Sequence, residues 1–119
     1  MTKHVDYLVI GQGLAGSLLS WELIKQGCNV HLIDNQKENA SQIAAGLINP
    51  ITGMRLVKSN ELDTLLPFAK KLYYELGQFF RQNFYIEKSM QRIIRSNKEL
   101  VKFQQRIKDD SYLEYLEPT

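Results

Sequence analysis

The sequence predicts an α/β fold that opens on a strand, helix, strand unit and then continues into the start of a second, α+β region. Three observations carry this expectation. Val5 to Ile10 is a short apolar run that ends on glycines, Leu14 to Gln26 has helical spacing, and Asn29 to Asp34 returns to strand character. Together they occupy about 30 residues, the length of a βαβ unit.

The first strand is rich in strand formers and bounded by charge before and glycine after, which suits a buried central strand. In the helix, Leu14, Leu18, Leu19, Trp21, Leu23 and Ile24 are apolar, Glu22, Lys25 and Gln26 fall to the outer face, and Gly27 stands where the helix stops. Val30, Leu32 and Ile33 supply the apolar positions of the second strand. The stretch from Asn35 to Ser59 mixes turn residues with small apolar ones, and its run Ser41 to Gly46 predicts a tight loop or short helix. Glu61 to Gln82 is expected as a long helix, with Leu62, Leu65, Leu66, Ala69, Leu72, Tyr73, Leu76, Phe79 and Phe80 at helical spacing. Asp63 is expected to cap it, with Pro67 tolerated near the first turn or marking a bend in a helix that begins earlier. Phe84 to Arg95 alternates and contains β-branched residues, which predicts one or two strands. Ser96 and Glu99 form a capping box, opening a helix through about Ile107 with Leu100, Val101, Phe103 and Ile107 on one face. The closing SYLEYLEPT carries apolar residues and no clear final element.

A chain of 119 residues has the size of one small domain, long enough for a core but short for an enzyme that holds both a dinucleotide and a substrate. Hydrophobic residues at 44% and charged residues at 24% exclude disordered and fibrous classes. A net charge of +2 with interspersed signs gives no electrostatic footprint for nucleic acid. The single cysteine, Cys28, excludes an internal disulfide and fits a reducing compartment. No stretch approaches the roughly 20 apolar residues of a membrane span, and the N-terminus lacks a secretory apolar core, so a cytoplasmic location without membrane partners is expected. His4 and His31 have no metal-ligand partner at useful spacing. The aromatics from Tyr73 to Tyr85 fit core packing better than base stacking.

The chemistry points to Gly11-Gln12-Gly13-Leu14-Ala15-Gly16. In such a loop the first glycine permits the turn, the second lets the backbone approach a pyrophosphate, and the third lets helix and strand pack closely. Amides at the helix start, with the positive end of its dipole, bind phosphate oxygens. Glycines alone can simply turn a corner. Here the triplet follows a strand and opens a helix, and Asp34 ends the next strand about 20 residues on, where a carboxylate accepts from a ribose 2′-hydroxyl and repels a 2′-phosphate. These contexts make the unit Rossmann-like, with Asn35 beside the ribose carboxylate as a further candidate contact.

The residues also carry a resemblance. DYLVIGQGLAGSLLSWELIKQGCNVHLID resembles the opening of flavoproteins that bind FAD on a Rossmann-like domain; Ser20 stands where alanine is usual and Asp34 where glutamate is commoner. Ser41 to Pro50, SQIAAGLINP, is similar to the second motif of the D-amino-acid-oxidase superfamily, which includes glycine oxidase-like and other amine-oxidising flavoenzymes. The resemblance implies that Ser41, Ala44, Ala45, Gly46 and Leu47 contact the flavin, where small side chains let the backbone approach the ring. Without the resemblance, Ala44 to Gly46 reads as an ordinary close-packed helix start.

The resemblance further implies an FAD-dependent oxidoreductase that oxidises a small-molecule amine or amino-acid-like substrate. Residues 1–60 are then the FAD-binding portion, 61–82 a long helix continuing from it, and 83–119 the beginning of the substrate domain, an incomplete fold. Relatives of this kind are about three times longer, as the size of two-domain enzymes leads one to expect. Their substrate-anchoring residues fall in the part this chain lacks, so no catalytic residue is assigned. Arg55 and Lys58 read as solvated or paired with carboxylates. Some relatives oxidise a modified tRNA base, the one indirect link to a nucleic-acid substrate. Two other readings stay open from the residues: a stand-alone nucleotide-binding module, or a non-catalytic fragment with a vestigial site. Open sheet edges predict self-association or swapping.

Overall fold

A computed structural model describes residues 4–38 and 40–117. The chain divides into two compact units, Met1–Leu47 and Ile48–Thr119.

In the first unit, β1 (Tyr7–Ile10) and β2 (Val30–Ile33) pair in parallel, with Tyr7 opposite Val30 and Ile10 opposite Ile33. Between them α1 (Leu14–Lys25) packs on both strands. Paired side chains tie the two strand entrances: Asn29 N–H donates to Asp6 Oδ2 at 2.7 Å, and Asn29 Nδ2 to the His4 carbonyl at 2.6 Å. Gly27, at φ +82°, ends α1, as its place after Gln26 suggests. The expectation of a buried central strand is corrected: in β1 only Val9 is buried, and Ile10 is 80% exposed. Among the described residues this sheet has two strands, and a parallel sheet buries both faces only when elements cover both. A short helix, α2 (Ala40–Ile43), follows, one of the two forms expected for that stretch.

The second unit opens on an unforeseen hairpin of β3 (Ile51–Thr52) and β4 (Val57–Lys58), antiparallel, with Ile51 opposite Lys58. Its turn runs from Gly53 at φ +67° to Leu56 at φ +50°. That left-handed turn plants Leu56, 1% exposed, at the centre of a cluster with Ile51 and Tyr112, flanked by Phe103, Tyr115 and Leu116.

The long helix α3 (Leu62–Phe80) buries Leu62, Leu66, Leu72 and Leu76, while Leu65, Phe79 and Phe80 from the expected apolar face are exposed. Pro67 lies within it; its missing N–H removes one bond from the ladder without ending the helix. Asp63 does not cap α3. The cap position is Glu61, in left-handed backbone with no side-chain bond, and Asp63 sits two residues on in the first turn, where its carboxylate holds Lys58 Nζ at 3.0 Å. The expected strands in Phe84 to Arg95 do not form, because no strand among the described residues supplies the ladder that turns an alternating sequence into a sheet.

Ser96 caps α4 (Asn97–Arg106), its Oγ accepting from Glu99 N–H at 3.2 Å. The capping box is modified: Glu99 carboxylate reaches past Ser96 to Arg95 N–H at 3.1 Å and to the Arg92 guanidinium at 2.6 Å. This pairing makes Glu99 the buried residue of α4, while Leu100 and Val101 stay exposed and Phe103 packs on the core. A 3-10 turn, Asp110–Tyr112, then returns Tyr112 to Leu56. No helix among the described residues is long and apolar enough to cross a membrane.

Candidate functional site

The glycine loop forms where β1 ends. Gly11 N–H extends the strand ladder by donating to the Ile33 carbonyl at 2.8 Å, and then turns at φ +98°, a backbone that favours glycine. Gly16 is fixed by close approach: a Cβ there would lie 1.9 Å from the Gly11 carbonyl oxygen and 3.5 Å from Val9 Cγ1. Gly13 precedes α1 in extended backbone, and a Cβ on it would meet only Ser41 Oγ, at 3.7 Å. The first glycine therefore makes the turn, the third lets α1 sit against it, and the second keeps the space before the helix open. Ala15 stands on the exposed first turn of α1, whose N–H groups have no acceptor inside the helix and lie at its positive end.

Two oxygens from later in the chain meet this loop. Asp34 Oδ2 accepts from Gln12 N–H at 2.7 Å, across 22 residues, and Oδ1 accepts from Gln36 N–H at 2.6 Å. Those backbone bonds, Gln12 first and Gln36 second, hold the Asp34 carboxyl below the usual carboxylate range. Ser41 Oγ accepts from Leu14 N–H at 3.2 Å, which places the start of the second motif over the helix N-terminus. Gly11, Gly13, Leu14, Gly16, Asp34 and Ser41 are thus brought together by geometry.

The remaining candidates lie further along the same unit. Asn35 Oδ1 accepts from Lys37 N–H at 3.1 Å, a local turn. Ala44, Ala45, Gly46 and Leu47 follow α2 as an exposed segment, with Gly46 at φ +68°. Sequence reasoning missed Gln12 and Gln36, which act through backbone amides. Gln36 was readable in principle, since an aspartate side chain readily accepts from the amide two residues on.

In the second unit Lys58 pairs with Asp63 and lies 5.6 Å from the ring centres of both Tyr112 and Tyr115, in keeping with the paired reading of that lysine. His4 lies 3.9 Å from Asp6, and His31 is exposed. No group of three or more His, Cys, Asp or Glu among the described residues is arranged to hold a metal ion.

A glycine-flanked loop before a helix N-terminus fits a pyrophosphate, and a carboxylate held beside it fits a ribose. Comparison with known proteins bears on the cofactor. Residues 4–93 match the model of the FAD binding domain family. Squalene monooxygenase SE2 of Panax ginseng is 32% identical over 89 residues, covering 70% of this chain and 16% of that protein. Squalene monooxygenase SE1 of the same plant is 29% identical over the same shares. The chain therefore spans about a sixth of the length of these relatives. No solved structure matches it. With three quarters of its length matched and the glycine loop inside the match, the chain belongs to the FAD binding domain family of FAD-dependent oxidoreductases, and its cofactor is FAD.

Proposed function

We propose that this chain is the N-terminal, FAD-binding part of an oxidoreductase that acts on an amine or amino-acid-like substrate, of the D-amino-acid-oxidase type. The observation that carries the reading is the bond from Leu14 N–H to Ser41 Oγ, which brings the start of the SQIAAGLINP segment onto the glycine loop. Gly11, Gly13 and Gly16 shape the loop, the Ala15 amide at the helix start faces the pyrophosphate while the Leu14 amide is held by Ser41, and Asp34 takes the ribose hydroxyls. Asn35 stands beside it, and Ser41, Ala44, Ala45, Gly46 and Leu47 run on toward the flavin. When bound, FAD supplies the two-electron acceptor for oxidation of a C–N bond. The protein's own part is to hold and position the cofactor.

A second reading follows from the squalene monooxygenase relatives: the parent enzyme inserts oxygen into an apolar substrate. The two share the cofactor grip and differ in substrate.

The test is spectroscopic. The purified chain, titrated with FAD, is expected to quench flavin fluorescence saturably and to release intact FAD on denaturation. A chain that takes up ADP or NAD but not FAD overturns the reading. In a longer parent enzyme, flavin bleaching by amines in the absence of oxygen supports amine oxidation. Bleaching only by a nicotinamide reductant, with oxygen transfer to an apolar substrate, supports the monooxygenase.

A further inference from the structure

Helix α1 begins without a cap of its own. Gly13 stands at the cap position with no side chain to accept a bond, and the first turn carries no acidic residue. The acceptor comes instead from Ser41, whose Oγ takes the Leu14 N–H at 3.2 Å across 27 residues. On the other side of Gly13, the Gln12 N–H is taken by Asp34 Oδ2 at 2.7 Å. The two amides that flank Gly13 in the chain are therefore held by two different later segments. One supplies the carboxylate proposed for the ribose, and the other begins the stretch proposed for the flavin.

Burial does not fix that second segment. Ala40 to Leu47 are exposed throughout, and α2 is a single turn of 4 residues. Gly46, at φ +68°, adds backbone freedom rather than restraint. Exposed segments with few buried contacts open locally with little loss of free energy, so a bond that ties this one to the end of a 12-residue helix weighs heavily on its orientation. A serine hydroxyl suits the task, being short, a good acceptor at a helix start and able to sit close to the loop. A Cβ on Gly13 would lie 3.7 Å from Ser41 Oγ, at ordinary contact distance.

We infer that Ser41 is a positioning residue that latches the two halves of the FAD site together. By capping α1 from the second motif, its hydroxyl makes binding at the glycine loop and binding along Ala44 to Leu47 a single joined event. The inference rests on the FAD reading above, in which the loop takes the pyrophosphate and the segment meets the flavin. With the latch in place the flavin end of the cofactor meets a segment already held beside its adenosine end. Without it, that segment is ordered only on binding, and the gain from joining two contacts on one ligand is reduced.

The test compares the affinity of the full chain for FAD with that for ADP, which carries the adenosine and pyrophosphate but no flavin. In Ser41→Ala the FAD affinity is expected to fall about three- to tenfold, the scale of one neutral hydrogen bond, with ADP affinity kept. The preference for FAD over ADP then falls by the same factor. Ser41→Thr keeps the acceptor and is expected to restore that preference. At saturating FAD, the shift of the visible flavin band that accompanies binding is expected to shrink in Ser41→Ala. An equal fall for FAD and ADP overturns the inference, because Ser41 then only caps the helix. A preference unchanged in Ser41→Ala, or lost in Ser41→Thr as well, also overturns it while leaving FAD binding by the wild type intact. A wild type that takes up ADP but not FAD overturns the FAD reading itself, and the latch with it.

Discussion

Asp34 and Gln12 are joined by a 2.7 Å hydrogen bond from a loop amide to a carboxylate, so the residue proposed to take the ribose hydroxyls also holds the glycine loop in shape. Asp34→Asn replaces one acceptor oxygen by a donor that faces an N–H, and removes the charge. FAD affinity is expected to fall by about tenfold or more, the usual scale for losing a hydrogen bond to a charged group. Fluorescence titration of FAD measures it, and an unchanged affinity would show that the carboxylate serves the loop alone.

The same pair sets an acid limit. Because Gln12 and Gln36 hold the folded-state pKa of Asp34 below its ordinary value, the stabilisation is fully present above that ordinary value. It is lost as pH falls through the lower folded value. Flavin release followed against pH is expected to show retention through the ordinary carboxylate range and loss below it, a limb that is absent in Asp34→Asn.

Gly13 and Gly16 are expected to fail in different ways when each becomes alanine. At Gly16 the new carbon would stand 1.9 Å from the Gly11 carbonyl oxygen, so loop or helix must move. Overpacking of this kind costs about 1–3 kcal/mol or more, and both thermal stability and FAD binding are expected to drop. At Gly13 the backbone suits alanine, with only Ser41 Oγ nearby, so the fold is expected to hold while the methyl blocks the cofactor's approach. Thermal melting alongside FAD titration separates the two, and a Gly13→Ala protein that binds normally would place the pyrophosphate elsewhere.

What was legible in the sequence was what the chain settles locally. Gly11, Gly13 and Gly16 answer to constraints within six residues and a neighbouring strand, and Ser96 with Glu99 to one helical turn. Burial and pairing were not legible where they depend on distant residues. Tyr112 sits in an ending with no visible element, yet it packs on Leu56, and its hydroxyl lies 3.4 Å from Lys58 N across 54 residues. Phe84 to Arg95 carries strand spacing, but a strand is a property of two segments and no ladder partner is described for it. Asp63 had the right residue type for a cap and the wrong position by two residues, which turned it toward Lys58. Glu99 read as a capping side chain; its burial comes from Arg92, whose guanidinium makes that burial tolerable.

Ser96→Ala leaves Glu99 N–H without its acceptor and is expected to cost about 1 kcal/mol, a few degrees in Tm for a small domain. Glu99→Gln is expected to be worse. The carboxylate is only 6% exposed and accepts from Arg92 and from Arg95 N–H, so the change strands a guanidinium that also holds the Gly53 carbonyl. Thermal denaturation of the two variants ranks them; equal losses would mean that the Arg92 pair adds nothing beyond the cap.

The second unit turns on Tyr112, buried against Leu56 and Ile51 with Lys58 and Arg106 over its ring at 5.6 and 4.9 Å. Tyr112→Ala removes an aromatic from the core and is expected to cost about 3–5 kcal/mol, the range for large aromatic truncations. Tyr112→Phe keeps the packing and the ring face toward both cations and gives up only the long contact to Lys58 N, so a loss below about 1 kcal/mol is expected. Urea denaturation of both variants measures the difference. FAD affinity is expected to stay at the wild-type value in each, because the glycine loop, Asp34 and Ser41 belong to the other unit. Loss of FAD binding in Tyr112→Phe would show that the two units depend on each other for the cofactor.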